Sequence, residues 1–410
     1  MFGSEKPENF VTLNIKKADI KTLDLSTSNL LAVGLIYLLQ LLFVPIAIFF
    51  EVNNVLLQFM SLIAFISAYA AYSKITNDSK SLFPIVLSVI LCLIIGPAVI
   101  PLAIIVSLIF SVCTLSYIFG VKNKTSIRVF FALIPVISWL IASVLLKNLL
   151  LSAIVLFHIP AAFLLAYAIH KGTPRVSSIC RVSVGMILSI FAIAATYFFL
   201  RNGTDIRSLP EFVANSKESL TNFYYGFIVN EYLPLFPELS AELSNTDIFI
   251  IVSTVVKQLF VFLPAIVVTA ANILAFFIHS ITLKILLRTQ KDRSKILPMF
   301  NFDMTLISAI VFLTSFLVSA VMSDGELSVL SAGMANIAII FIPGLMYTTI
   351  LTCNTFLALK PSCAGSMLYM ALIFLTVSFA QIMFPLVSVA GAVIIIVANI
   401  TKHRLLNKKK

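Results

Sequence analysis

Apolar residues in this chain fall in long uninterrupted runs, without the polar positions that mark the wet face of a soluble helix or strand. The runs lie at roughly 29–50, 55–73, 82–100, 101–119, 128–147, 149–169, 178–200, 260–286, 304–322, 329–358, 364–382 and 384–401. Each approaches or exceeds the ~20 residues a helix needs to cross hydrocarbon. The pattern predicts an all-α, polytopic transmembrane helix bundle of about twelve spans. Two neighbouring pairs are weakly separated, one by Gly96-Pro97 and Pro101, the other near Phe384-Pro385. Proline and glycine are tolerated inside membrane helices, so either pair also reads as one kinked element, and about ten spans is the fallback.

The order of runs divides the chain into six stretches. A polar tail over 1–28 precedes a two-helix extension over 29–80. A first bundle part follows over 81–200, then an acidic, partly helical segment over 201–259, a second bundle part over 260–401 and a basic tail over 402–410. The first apolar run is long enough to stay in the membrane as an uncleaved helix. Within the acidic segment, 211–230 reads as a helix anchored by Phe212, Leu220, Phe223, Tyr224 and Phe227. It is expected to lie on the outer face or cap the bundle. Residues 247–288 keep a helical pattern for about twice the length that hydrocarbon requires. Lys257, Gln258 and Pro264 mark the expected break, with the span beginning near 260.

Composition agrees with the pattern. Of 410 residues 60% are hydrophobic and 11% charged, against about 25% charged in a soluble domain. The net charge of +11 is a topology signal, because the basic residues collect in short loops and tails. With the N-terminus inside, cytoplasmic segments carry 23 Lys and Arg and outer segments 4, which places both termini in the cytoplasm. Nucleic acid is not an expected partner. The lipid bilayer is, and the Lys402, Arg404 and Lys408–Lys410 cluster is expected to touch anionic inner-leaflet lipid.

Candidate chemistry is sparse. All 17 acidic residues map to tails, loops or span ends, which argues against a carrier with a midplane carboxylate. No GxSxG, HExxH or GxxxxGK[ST] motif occurs, so no catalytic residue, no enzyme activity, no cofactor and no ATPase of its own is expected. Five cysteines (Cys92, Cys113, Cys180, Cys353 and Cys363) form no CxxC pair, and no metal site is expected. The candidate ligand-binding residues are polar groups inside spans: His158 near Pro160, Asn272 and His279 on one helical face, Asn336 and Asn354 flanking Pro343-Gly344, and Gln381 beside Pro385. Each reads alternatively as a packing hydrogen bond. Gln40 reads first as a packing hydrogen bond. Pro343-Gly344 suggests a broken helix, whose freed backbone groups serve as ligands in transporters. Ala64 and Ala68, four residues apart, present a smooth face to a neighbouring helix of this chain or to a partner.

One resemblance goes beyond composition. The order runs from Ile134 through Pro160, Ala168-Ile169-His170-Lys171-Gly172 and Ser183-Val184-Gly185 to the acid-rich segment. Val256-Lys257-Gln258-Leu259-Phe260, Pro264, Asn272 and Leu297-Pro298-Met299-Phe300 follow. This order resembles the YybS-like family of predicted bacterial membrane proteins, a family of unknown function, over roughly residues 85–400. Part of that family is similar to the substrate-binding components of energy-coupling-factor vitamin transporters. The resemblance implies a small nutrient bound from outside, separate energising ATPases, docking at Ala64 and Ala68, and a bacterial cytoplasmic membrane. At about twice their usual length, this chain departs from such components.

Three functions stand as expectations: a small-solute binder or transporter, a non-catalytic scaffold or regulatory partner, and an envelope lipid-processing or flipping protein. A binder needs a polar-lined cavity. A scaffold has its intramembrane polar groups already bonded to one another. An enzyme converges acids, His or Arg on a membrane-level groove.

Overall fold

The computed structural model describes residues 27–50, 55–76, 86, 89–90, 99–120, 124–171, 173, 175–203, 205–235, 244–289, 304–322, 328–359 and 363–407. Among them there is no strand. The helices are α1 (Thr27–Phe49), α2 (Val55–Thr76), α3 (Val99–Gly120), α4 (Thr125–Leu146), α5 (Leu149–Ser152), α6 (Ile159–Lys171) and α7 (Arg175–Asn202). They continue as α8 (Leu209–Phe227), α9 (Asn245–Thr289), α10 (Leu306–Val321), α11 (Val329–Leu359), α12 (Cys363–Ser378) and α13 (Ala380–Asn407). Nine helical stretches among the described residues are long and apolar enough to cross a membrane, and Leu306–Val321 and Gly365–Thr376 are shorter apolar helices. This all-α arrangement is compatible with a multi-pass membrane protein, since each helix satisfies its own backbone groups without water. Most of the run at 82–100 lies outside the described residues.

Local chemistry sets the helix ends. The Asn148 side chain accepts hydrogen bonds from the Leu150 and Leu151 N–H groups at 3.0 and 3.1 Å, starting α5. A short 3-10 turn (Ala153–Leu156) follows, and α6 starts with Pro160 in its first turn, where a missing N–H costs nothing. Thr305 and Ser308 cap α10 reciprocally.

The chain forms two compact units. The first takes residues through Gly203 and those from Ala271 to Phe300; the second takes Thr204–Ala270 and everything from Asn301. Helix α9 therefore contributes to both. In the first unit, α6 packs on α7 and α3, and α1 packs on α2, α3 and α4. Gly185 sets the α6–α7 spacing: a Cβ there would lie 2.6 Å from Ala161 Cα and 2.7 Å from Ala161 N. In the second unit, α11, α10 and α13 pack on one another around Phe312, Ala338, Leu345 and Ala392. There a Cβ on Gly391 would collide with the Leu345 carbonyl oxygen. Helix α8 rests on the start of α9 through Leu220 and Tyr225, against Ile248, Val252 and Val256.

Three expectations about breaks need correction. Helix α9 runs unbroken for 45 residues with Pro264 inside it, so no helix end falls at Lys257–Pro264. Helix α11 is likewise continuous through Pro343, and Asn336 and Asn354 do not flank a break. The interruption expected near Phe384-Pro385 falls instead at Phe379, with Pro385 inside α13. Even there the Phe379 N–H donates to the Leu375 carbonyl at 2.9 Å, a helical bond. In each case neighbouring turns keep the ladder intact around one missing donor.

Candidate functional site

The predicted polar residues divide between the units, and most are already engaged. In the first unit, His158 is buried just before α6. Its Nδ1 donates to the Val155 carbonyl at 2.8 Å, because a carbonyl can only accept. In the neutral ring this leaves Nε2 as acceptor for the Tyr37 hydroxyl, 2.6 Å away on α1. The Tyr37 and Phe131 rings lie 6.1 Å apart, and both side chains are fully buried. The backbone carbonyl that His158 reaches is that of Val155; the neighbouring Phe157 carbonyl accepts from Ser189 of α7.

Asn272, in the α9 turn that joins the first unit, accepts from the Ser183 hydroxyl at 2.5 Å. Ala271 and Ala275 beside it are fully buried, as close packing of small residues requires. His279 is buried on the same face. The small-residue face of α2 is covered by the chain's own helices: Ala64 packs with Phe43 of α1 and Ala103 of α3, and Ala68 is fully buried. It is not free for a partner helix.

In the second unit, Asn336 of α11 reaches into α9. Its Oδ1 accepts from the Ala265 N–H at 3.1 Å. Its Nδ2 donates to the Val261 carbonyl at 3.0 Å and to the Ala332 carbonyl at 2.9 Å. Ala265 N–H and Val261 C=O are the two groups that an uninterrupted helix pairs with each other. They sit at the step following Pro264, where the Asn336 amide braces the ladder. Asn354 is exposed, and the Gln381 side chain lies outside the described residues.

Several buried residues outside the predicted set carry polar atoms with no partner among the described residues, Ser280 of α9 among them, and three lie on α1 and α3. Gln40 of α1 is 2% exposed, and Ser107 and Ser111 of α3 are 1% exposed each. Among the described residues, neither amide atom of Gln40 nor either serine hydroxyl has a hydrogen-bond partner. Several other buried serines donate back to their own helix, as Ser61 does to Leu57 and Ser138 to Ile134, both at 2.8 Å. The packing of α1 on α3 sets their register. Phe43 meets Ala103, and one turn outward Ala47 clusters with Val99 and Ile100, so α1 and α3 run antiparallel. One turn the other way sets Gln40 level with Ser107, and Ser111 is one turn further along the same face of α3. Gln40 was assigned to packing from sequence, and the structure corrects that. Ser107 and Ser111 escaped notice because serine in an apolar helix normally bonds its own backbone.

An unpaired amide in an apolar interior is costly, and native buried polar groups almost always have partners. The seam offers a donor and an acceptor from Gln40 and two hydroxyls that serve as either. Neither α1 nor α3 contains a charged residue. Its polar atoms are sealed from outside, so a ligand reaches them only when α1 and α3 separate.

No family model, curated protein or solved structure matches this chain.

Proposed function

We propose that the protein is a multi-pass component of a bacterial cytoplasmic membrane that binds, and helps carry, a small uncharged polar solute without an ATPase of its own. The reading takes about twelve spans and both termini inside, as hydropathy and the basic asymmetry indicate. The observation that carries it is the buried Gln40 of α1, unpartnered among the described residues, which the register of α1 on α3 sets level with Ser107. A neutral solute with both donors and acceptors satisfies these groups; a bare cation leaves the Gln40 Nε2 hydrogens unpaired. No catalytic step belongs to this reading. Energy would come from separate cytoplasmic subunits, as the family resemblance implies.

A second reading, a non-catalytic scaffold or regulatory partner, draws on the saturation of His158, Asn272 and Asn336 by partners within the chain. One experiment separates the two. Purified protein is screened by thermal shift against vitamins, nucleobases and amino acids, alongside Gln40→Leu. The solute reading expects a ligand that stabilises the native chain and leaves Gln40→Leu unmoved. If no ligand stabilises it, and it co-purifies stoichiometrically with a partner that is not an ATPase, the scaffold reading replaces it.

A further inference from the structure

We infer that Tyr167, Lys171 and Arg181 form a binding site for a phosphate group at the end of the α6–α7 hairpin, separate from the seam at Gln40. The Lys171 ammonium lies 5.5 Å from the centroid of the Tyr167 ring, and the Arg181 guanidinium carbon lies 5.1 Å from the same centroid. Two cations from two helices are thus held around one aromatic ring. Their mutual repulsion is unfavourable unless an anion joins them.

The chain supplies few candidates for that anion. No Asp or Glu occurs between Asp78 and Asp205, a stretch that includes all of α3 to α7. The Arg181 Nη1 is buried and has no hydrogen-bond partner among the described residues. A guanidinium keeps its charge and presents its donors as a rigid fork suited to phosphate oxygens. Lys171 is exposed and Tyr167 is half exposed, so the ligand approaches from outside the bundle. Behind the site the Thr173 and Ser178 hydroxyls are 2.8 Å apart, and the Thr173 N–H donates to the Ala168 carbonyl at 3.1 Å.

The setting points to the source of the phosphate. One turn from Tyr167 on α6 is exposed Phe163, and one and two turns from Arg181 on α7 are exposed Val184 and Leu188. An apolar outer stripe thus ends at two cations. This is the profile of an acyl chain continuing into a headgroup, and basic pockets between helices at a membrane surface bind anionic lipid. The inference rests on α6 and α7 being membrane spans, and it holds whether or not the Gln40 seam binds a solute.

The test uses the full chain in detergent, titrated with dioleoyl phosphatidylglycerol, with dioleoylglycerol of the same tails and no phosphate, and with inorganic phosphate. Thermal stability is the readout for the native chain, Lys171→Gln, Arg181→Gln and Arg181→Lys. The expected result is stabilisation by phosphatidylglycerol and not by dioleoylglycerol. Apparent affinity falls about tenfold in each Gln variant, the loss of one charged contact, and less in Arg181→Lys. Stabilisation by inorganic phosphate equal to that by phosphatidylglycerol keeps the site and assigns it to soluble phosphate. Stabilisation that is equal with dioleoylglycerol, or undiminished in both Gln variants, overturns the site. Lys171 is at an exposed helix end, so its variant keeps the test decisive should Arg181→Gln not fold.

Discussion

The Tyr37 hydroxyl donates to His158 Nε2 across 2.6 Å, tying α1 to the start of α6 in a fully buried setting. His158 is held on both sides, since Nδ1 is committed to the Val155 carbonyl. Tyr37→Phe leaves Nε2 without a donor, whereas His158→Phe with Tyr37→Phe removes both partners. The single change is expected to cost about 1 kcal/mol, within the range of buried membrane hydrogen bonds. The double variant should lose less than the sum of the two single losses. A double-mutant cycle on unfolding in mixed micelles checks this, and strict additivity would show that the contact contributes nothing.

Helix contact at Gly185 leaves no room for a methyl group, because the neighbouring atoms are the Ala161 backbone. Gly185→Ala is expected to push α6 from α7 and destabilise the chain by about 1–3 kcal/mol, the range for overpacking. Gly333→Ala is the control, since nothing lies within 4 Å of a Cβ there. It should be neutral or slightly stabilising, as alanine favours a helix more than glycine does. Thermal unfolding of the two variants side by side is sufficient; equal losses would refute the close approach.

The Asn336 brace predicts a coupling between two helices. Asn336→Leu removes both the acceptor for Ala265 N–H and the donor to the Val261 carbonyl. The loss should be about 1–2 kcal/mol. In a Pro264→Ala background the helix can close its own ladder, so the same change should cost at least about 0.5 kcal/mol less. Identical costs in the two backgrounds would mean that Asn336 does not serve the proline step.

These residues show what the sequence discloses and what it conceals. Helix positions were legible because hydrocarbon demands ~20 apolar residues per crossing, and that demand is written in one dimension. Prolines misled. Pro264, Pro343 and Pro385 were read as breaks, but all three sit inside helices, and at Pro264 the bracing amide comes from Asn336, 72 positions later in the chain. The same distance in sequence hid the roles of His158 and Asn272, whose partners Tyr37 and Ser183 are on other helices. Whether a polar residue in a span is a strut or a free group is a property of its neighbours. Gln40 and His158 look alike in sequence, yet only His158 is paired.

Gln40 carries a prediction of opposite sign to the others. Its amide is buried and unpaired, so Gln40→Leu removes a desolvation cost and adds apolar contact. The variant is expected to be more stable than the native chain, by about 1–2 kcal/mol in the absence of solute. A native residue that weakens its own fold fits a site that sacrifices stability for binding. Equilibrium unfolding of native and Gln40→Leu protein, each without added solute, decides the sign. Destabilisation by Gln40→Leu would show that the amide is already satisfied and would remove the argument for a ligand there.

Orientation is the remaining step on which the location of every site depends. In the proposed orientation residues 201–259 are outside and the basic stretch 284–295 is inside. Asn215 lies within α8, and α8 packs against the start of α9. A cysteine introduced by Asn215→Cys should react with a membrane-impermeant maleimide added to intact cells, and one introduced by Asp292→Cys should react only after the membrane is opened. Both are made in a background with Cys180 and the other native thiols replaced, because Cys180 is exposed. The same proposed orientation would set the Lys171 and Arg181 cluster on the cytoplasmic side, where anionic lipid is concentrated. The reverse labelling pattern would invert the bundle and move that cluster to the outer leaflet.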